Sequence, residues 1–178
     1  MLMEDEAGFY RQPTPACAWA HGGHGQPRAQ LSCRSNHCVR AAVALNPVCG
    51  ALHHRMSWSF RAPTMGNFYR LLSQSNPRAT SIFLVMDNWP VHAHPKAWRA
   101  ITDDARMQVL WLPTYAPWLN PAEKVWKYTR QRLTHMHPYA EDLATLKNRI
   151  DQTLEAAAAD PAAMLRYTGT GNDKLYSS

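Results

Sequence analysis

The alternation of apolar and polar positions along the chain predicts a mixed α/β domain. Five segments combine strand-like lengths with runs of apolar side chains, and they lie at residues 1–9, 39–45, 51–60, 81–86 and 107–112. A turn at Asn46 and Pro47 that ends in Gly50 joins the second segment to the third, which is a hairpin pattern. The segment 81–86 is continuously apolar, as expected of a central strand that is covered on both faces, and 107–112 is expected to be a second buried strand.

Helical spacing of apolar positions predicts four helices after the hairpin. They span residues 65–75, 96–105, 121–134 and 141–159. Thr64 is the expected N-cap of the first helix and Asn120 that of the third, where Pro121 suits the first turn. Three strands followed by alternating helices and strands indicate an α/β fold with a mixed sheet and helices on its faces.

Length and composition are those of one folded domain. The chain has 178 residues, of which 46% are hydrophobic, and a chain this long buries roughly two-thirds of its unfolded surface. We assign residues 1–160 to the domain because Asp160 and Pro161 stop the last helix, and we expect a frayed tail over 161–178. No apolar run reaches the roughly 18 residues of a membrane span, so we expect a cytoplasmic protein.

Basic charge is concentrated in the first half of the chain. The net charge is +6, and the stretch between Glu6 and Asp87 contains eight arginines and no acidic residue. Such a stretch suits a polyanion, because each arginine held near a phosphate releases counterions. A solvated basic surface without a specific partner explains the charge equally well, so charge alone leaves both interpretations open.

The four cysteines lack the CxxC spacing of a zinc knuckle. Cys33 and Cys38 are close in sequence, with His37 between them and His21 and His24 upstream, and these residue types can bind zinc. The irregular spacing favours reduced, partly buried thiols, with a small zinc site as the alternative.

Three acidic residues stand where an α/β protein places its chemistry. Asp87 directly follows the apolar run 81–86, Asp5 lies in the first apolar segment, and Glu123 lies in the first turn of the third predicted helix. Each has an ordinary explanation, namely an Asx turn, exposed surface and a favourable place in the helix dipole. Together they could hold two Mg²⁺ or Mn²⁺ ions, because hard cations prefer oxygen ligands.

The segments around Asp87 and Glu123 resemble the DDE endonuclease signature of mariner-like bacterial insertion-sequence transposases. That signature, D-N-x-x-x-H followed by L-P-x-Y-x-P-x-L-N-P-x-E-x-x-W, is matched by LVMDNWPVH and WLPTYAPWLNPAEKVW at every named position. The start MEDEAGFYRQP is similar to the first catalytic block of the family. The spacing also agrees, with 81 residues between Asp5 and Asp87 and 35 between Asp87 and Glu123.

The resemblance covers about residues 3–135 and implies an RNase H-like fold, which is a five-stranded mixed β-sheet flanked by α-helices. It implies that Asp5, Asp87 and Glu123 are the catalytic residues and metal ligands, with Glu6 as the nearest rival of Asp5. The implied reaction is Mg²⁺- or Mn²⁺-dependent cleavage at the terminal inverted repeats of a mobile element, followed by strand transfer into target DNA. The implied active complex is a homodimer on DNA at the bacterial nucleoid.

Further residues are expected to support the site or to contact DNA. The resemblance implies that Asn88 and His92 shape the metal site or contact phosphate, and that Tyr115 and Asn120 hold the loop that presents Glu123. For His92, a structural histidine with satisfied hydrogen bonds is the ordinary alternative.

Lys127 and Arg130 follow Glu123 on the same predicted helix face, where they could contact the DNA backbone. Full-length members of the family carry helix-turn-helix domains before the catalytic part, and here only Met1–Glu4 precede Asp5. We therefore expect these DNA-reading domains to be absent. An inactive DNA-binding or dimerising remnant of a transposase is the alternative function.

Overall fold

The computed structural model describes residues 1–14, 29–114 and 116–170, and a five-stranded sheet lies at its centre. The strands are β1 (Leu2–Tyr10), β2 (Cys38–Leu45), β3 (Leu52–Ser57), β4 (Ile82–Met86) and β5 (Met107–Trp111). Their order across the sheet is β3-β2-β1-β4-β5. The first three strands pair antiparallel, whereas β4 runs parallel to both β1 and β5. The predicted five-stranded mixed sheet is confirmed.

Helices follow the hairpin and cover the sheet. The α-helices are α1 (Ala62–Ser75), α2 (Pro95–Thr102), α3 (Glu123–Thr129), α4 (Leu143–Ala159) and α5 (Pro161–Thr168). A short 3-10 helix (Pro117–Leu119) precedes α3, and a π-helical turn (Arg130–Thr134) continues it. None of the helices in the described part of the chain is long and apolar enough to cross a membrane.

The sheet separates two apolar clusters, because successive side chains of a strand point to opposite faces. On one face, Leu2 and Leu84 belong to the cluster that α1 and α2 cover. On the other face, Met3 and Val85 belong to the cluster that α3, α4 and α5 cover. The side chains of β1 therefore alternate between the two helical layers, and this alternation decides which acidic residues meet which helices.

The predicted start of α1 is wrong. The helix begins at Ala62 instead of Met65, with Arg61 at the N-cap position and Pro63 in the first turn, a place that proline favours. Thr64 therefore lies inside the helix, and its backbone N–H donates to the Arg61 carbonyl at 2.9 Å. The proline, which was not used in the prediction, marks the true start.

The predicted frayed tail is wrong over residues 161–168, which form α5. The Asp160 carboxylate accepts a hydrogen bond from the Ala163 backbone N–H at 2.9 Å and so caps a new helix. Pro161 takes the first helical position, and Met164 is buried in the cluster beneath α4. The Asp-Pro pair that we interpreted as a stop ends one helix and begins the next.

Candidate active site

A cleft of about 390 Å³ opens where β4 and β5 end. Asp5, Asp87 and Glu123 all line it, together with Asn88 and Asn120. The structure therefore brings the three predicted carboxylates together from β1, from the end of β4 and from the start of α3.

Strand register places Asp5 beside Asp87. The parallel pairing of β1 with β4 matches Met3 with Val85, and each aspartate lies two residues further along its strand direction. Because side chains alternate, both aspartates share the face of Met3 and Val85, which is the face that α3 covers. Asp87 is exposed and its Oδ1 accepts from the Trp89 backbone N–H at 2.8 Å, so it forms an Asx turn and lines the cleft as well.

Asn120 attaches the start of α3 to β1. Its side-chain Nδ2 donates to the Glu4 carbonyl at 2.8 Å, its Oδ1 accepts from the Ala122 N–H at 3.1 Å, and its carbonyl accepts from the Glu123 N–H at 3.1 Å. The helix begins at Glu123, two residues after the predicted start, with Ala122 at the N-cap position. Asn120 caps the turn before the helix and thereby holds Glu123 next to the strand that carries Asp5.

Trp126 orients Asp5. The indole Nε1 of this buried residue donates to Asp5 Oδ2 at 2.8 Å. The Trp126 hydrogen bond therefore engages one carboxylate oxygen of Asp5 and not Oδ1. The pKa of Asp5 is raised to about 7, first by burial and then by the nearby Glu123 charge, and the Trp126 hydrogen bond opposes both. Trp126 is the final tryptophan of the quoted motif, three residues after Glu123, but it was not among the predicted site residues.

His92 lies behind Asp87 and is fully buried. Its Nδ1 is 2.6 Å from the Tyr69 hydroxyl, and its Nε2 is 3.3 Å from Asp87 Oδ1 without the geometry of a hydrogen bond. Burial lowers the pKa of His92, and the Asp87 carboxylate partly offsets this. Asn88 lies at the same strand end, where its Nδ2 donates to the Leu112 carbonyl at 3.1 Å and links the ends of β4 and β5.

Glu4 and Glu6 form a second acidic group beside the cleft, and this group was not predicted from the sequence. Burial raises the pKa of Glu4 well above its usual range, and the charge of Glu6 adds to this. Burial likewise raises the pKa of Glu6 to about 8. The alternation of β1 could have indicated that these two side chains point away from Asp5, but only the fold shows that a helix buries them.

Positive charge borders the site through two arginines. Arg40 and Arg61 are exposed and line an adjoining cleft of about 470 Å³, whose wall also includes Asp5, Asp87 and Trp89. Both belong to the acid-free stretch that the sequence analysis singled out by charge, although neither was predicted as a site residue.

Two other residues that were predicted to contact DNA lie away from the carboxylates. Lys127 and Arg130 are exposed and line neither of these two clefts. The Arg130 guanidinium lies 5.7 Å from the ring centre of Phe9 and borders a separate cleft of about 180 Å³. Trp126, three residues after Glu123, is the residue of α3 that bonds Asp5. Tyr115 lies outside the described residues.

The alternative zinc site is not assembled in the described residues. Cys33 and His37 are exposed and Cys38 is half-buried, and these three do not come together with a further ligand within residues 29–114. His21 and His24 lie outside the described residues.

Solved structures define the class of the domain. The chain is similar to the Mos1 mariner paired-end complex with Mg, with a TM-score of 0.64 and 14% identity over 94% of this chain and 53% of that one. The corresponding complex with Mn gives a TM-score of 0.63 at 14% identity, over the same shares of each chain. At this identity the likeness shows the fold, and the expected RNase H-like architecture is confirmed.

The family follows from the sequence itself. The family model described as DDE superfamily endonuclease matches residues 1–147, and the chain belongs to that family. The chain is also 23% identical over 137 residues to the insertion element IS630 uncharacterized 39 kDa protein of Shigella sonnei. That match covers 77% of this chain and 39% of the relative, so the chain spans about two-fifths of the relative's length.

Proposed function

We propose that this chain is the catalytic domain of a transposase, which cleaves DNA phosphodiester bonds and joins the cut strand to target DNA. The observation that carries the proposal is the convergence of Asp5, Asp87 and Glu123 on one cleft. Membership in the DDE superfamily endonuclease family and the likeness to a curated insertion-element protein support it. An inactive remnant would have no need to keep all three carboxylates in one place.

Divalent metal ions fit the cleft chemically. Asp5, Asp87 and Glu123 line one cleft and offer only oxygen donors, which suits Mg²⁺ or Mn²⁺. We propose that the three carboxylates hold two such ions, which when bound supply an activated water or hydroxyl and a stabilised leaving oxygen. The solved Mos1 complexes with Mg and with Mn are consistent with either ion.

The residues of the chain keep the carboxylates in place for this chemistry. Asn120 fixes the start of α3 against β1, and Trp126 binds one oxygen of Asp5. The Asx turn with Trp89 holds the exposed Asp87 side chain at the end of β4. These hydrogen bonds restrict the carboxylates before substrate binds, which reduces the reorganisation that the reaction needs.

We propose that the partner is DNA at the bacterial nucleoid. The domain would act on two DNA segments, the terminal inverted repeats of a mobile element and the target. Arg40 and Arg61 border the carboxylates and could neutralise phosphates on either side of the scissile bond. The Mos1 paired-end complex with a left transposon end, similar in fold, motivates the further proposal that two copies of the domain act together. Sedimentation of the protein with end-sequence DNA tests this, and a complex with one copy per pair of ends contradicts it.

The test of the function is Mn²⁺-dependent nicking of supercoiled DNA by the purified chain. Asp87→Asn keeps the Asx acceptor but removes a charged ligand, so nicking should fall by roughly a thousandfold or more without unfolding. Asp103→Asn is the matched control, because this exposed carboxylate pairs only weakly with Arg99 and lies outside the cleft. Nicking that survives Asp87→Asn contradicts the assignment. Salt-sensitive DNA binding without nicking by the parent chain supports the inactive-remnant alternative.

A further inference from the structure

A second set of possible metal ligands lies on the other side of β1 from Asp5. Glu4 and Glu6 share the face of Leu2, which α1 and α2 cover, because side chains alternate along the strand. The Glu4 side chain is fully buried and that of Glu6 is 14% exposed. These glutamates therefore do not belong to the carboxylate set that α3 covers.

His92 completes this set from the segment after β4. Its Nε2 lies 3.8 Å from Glu4 Oε2 and 3.6 Å from Glu6 Oε1, and one ligand atom from each of the three residues falls within 4.8 Å of the others. The Tyr69 hydroxyl oxygen at 2.6 Å from Nδ1 can accept a hydrogen bond from an Nδ1–H group. In this tautomer Nε2 carries a free lone pair, which is how metal-binding histidines are commonly held.

Four buried polar atoms of this group have no hydrogen-bond partner in the described residues, although His92 Nε2 lies 3.3 Å from Asp87 Oδ1. Both carboxylate oxygens of Glu4, Oε1 of Glu6 and Nε2 of His92 lack a hydrogen bond. The described chain also contains no ion pair between either glutamate and a lysine or arginine. Burying such atoms without a partner is costly, and a native protein commonly meets the cost with an ion or a bound proton.

We propose that Glu4, Glu6 and His92 bind a divalent transition-metal ion of the zinc type, at a site that adjoins the catalytic cleft, where His92 Nε2 lies 3.3 Å from Asp87 Oδ1. Two carboxylates and one imidazole form the mixed oxygen and nitrogen ligand set that such ions accept with few ligands. Mg²⁺ keeps several waters and is a poorer fit to a buried group of three side chains. Glu6 also lines the cleft of about 470 Å³ beside Arg40, which gives the ion a route from solvent.

The site goes beyond the cleavage reaction, because its ligands lie on the opposite face of β1 and its occupancy does not require DNA. The ion would neutralise the two buried glutamates directly behind Asp5. It would therefore fix the backbone of β1 at the residue that carries a catalytic carboxylate.

Metal binding in the absence of catalysis tests the proposal. The background variant Asp5→Asn/Glu123→Gln removes two of the three cleft carboxylates and leaves the second group intact. The matched variant adds Glu4→Gln/Glu6→Gln, which keeps side-chain shape and removes buried negative charge, so it should fold. After removal of metal with a chelator, Zn²⁺ binding is measured by calorimetry and by metal analysis of dialysed protein.

We expect the background variant to retain about one more Zn²⁺ per chain than the matched variant, with excess Mg²⁺ unable to displace it. Zn²⁺ should raise the Tm of the background variant and leave that of the matched variant unchanged. Zinc held by Cys33, Cys38 or nearby histidines would appear equally in both variants and cancels in the difference. Equal Zn²⁺ stoichiometry in the two variants overturns the proposal and favours a proton shared by the two glutamates.

A spectroscopic measurement keeps the proposal falsifiable if the fourfold variant is unstable. Co²⁺ bound to the background variant should show visible absorption bands, and the single change Glu6→Gln, at the most exposed ligand, should weaken Co²⁺ binding by at least about tenfold. Bands of unchanged intensity and affinity after Glu6→Gln overturn the site. Loss of DNA nicking alone has no bearing on these readouts, so a failure of the proposed function is distinguishable from a failure of this one.

Discussion

Two acidic regions of this domain differ in how their charge is balanced. Asp104, before β5, accepts hydrogen bonds from Arg106 Nε at 2.9 Å, from Arg106 Nη2 at 2.7 Å and from the Ser73 hydroxyl at 2.5 Å. These donors, Arg106 first, hold the pKa of Asp104 well below its usual range. By contrast, burial raises the pKa values of Glu4, Asp5 and Glu6.

The difference separates a structural carboxylate from those that we propose to bind metal. Asp104 receives its cation from a residue two positions along the chain, and that arginine also donates to the carbonyls of Asn76 and Ala79, so the group joins α1 to β5. The acidic residues of β1 have no comparable cation in the described chain, so their burial is unfavourable. A requirement of the proposed metal ions for oxygen ligands explains why these residues are kept. Perturbation of this kind is typical of functional sites.

The largest expected effect is on cleavage, with Asp5→Asn compared against Asp104→Asn. Asp5→Asn removes a charged ligand and should reduce nicking by roughly a thousandfold or more, measured as initial rate on supercoiled DNA with Mn²⁺. The same change removes an unfavourable buried charge, so the Tm in chelator should rise. Asp104→Asn should do the reverse, lowering the Tm and leaving the rate per folded molecule unchanged. A lower Tm for Asp5→Asn in chelator contradicts the distinction.

The dependence of metal-free stability on pH is the second test. The pKa of Asp5 rises from 3.8 to about 7 and that of Glu6 from 4.5 to about 8 on folding, so the folded state binds more protons than the unfolded chain across this window. Both contributions are fully present below the ordinary values and are lost as pH rises through about 7 and about 8. The urea midpoint in chelator should therefore be lower at about pH 8.5 than at about pH 5.5.

The matched variants sharpen this pH test. Asp5→Asn/Glu6→Gln should make the fall smaller, because it removes two of the three carboxyl groups of β1 whose pKa values are raised. Asp104→Asn should leave the fall in place, since the pKa of Asp104 is lowered and its contribution changes only at more acid pH. A midpoint that stays level or rises toward alkaline pH in the parent chain contradicts the raised pKa values.

The strands and the convergence of Asp87 and Glu123 on one cleft could be predicted from the sequence because their signals are local. The apolar run that ends at Asp87 indicates a central strand, and dense motif matches surround Glu123. Asp160-Pro161 shows the limit of local signals, because the same pair serves as a stop and as a start. Whether a helix follows Pro161 depends on whether Met164 can pack into the core, and this packing is known only from the folded structure.

The pairings around the carboxylates could not be predicted because they join distant parts of the chain. Trp126 meets Asp5 across 121 positions, and Asn120 meets Glu4 across 116. The burial of Glu4 depends on which face of β1 α1 covers, and strand alternation alone leaves that choice open. Charge asymmetry pointed to a basic stretch, but only the fold selects Arg40 and Arg61 from it.

The smallest expected effects separate the two asparagines of the cleft. Asn120→Ala removes buried hydrogen bonds to the Glu4 carbonyl and the Ala122 N–H, which should lower the free energy of unfolding by roughly 1–3 kcal/mol. Asn88→Ala removes one exposed hydrogen bond to the Leu112 carbonyl and should cost about 0.5–1.5 kcal/mol. Urea unfolding of both variants gives the comparison.

Cleavage rates of these two variants complete the comparison of charged and neutral cleft residues. If Asn120 positions Glu123, its alanine variant should lose rate beyond its loss of folded protein, and raising the Mn²⁺ concentration should restore part of that loss, because a displaced ligand weakens metal binding first. Asn88→Ala should show a smaller loss. Equal rates per folded molecule for Asn120→Ala and the parent, at every Mn²⁺ concentration, would mean that Asn120 stabilises the loop without placing the glutamate. The acidic ligands would then owe their positions to β1, β4 and Trp126.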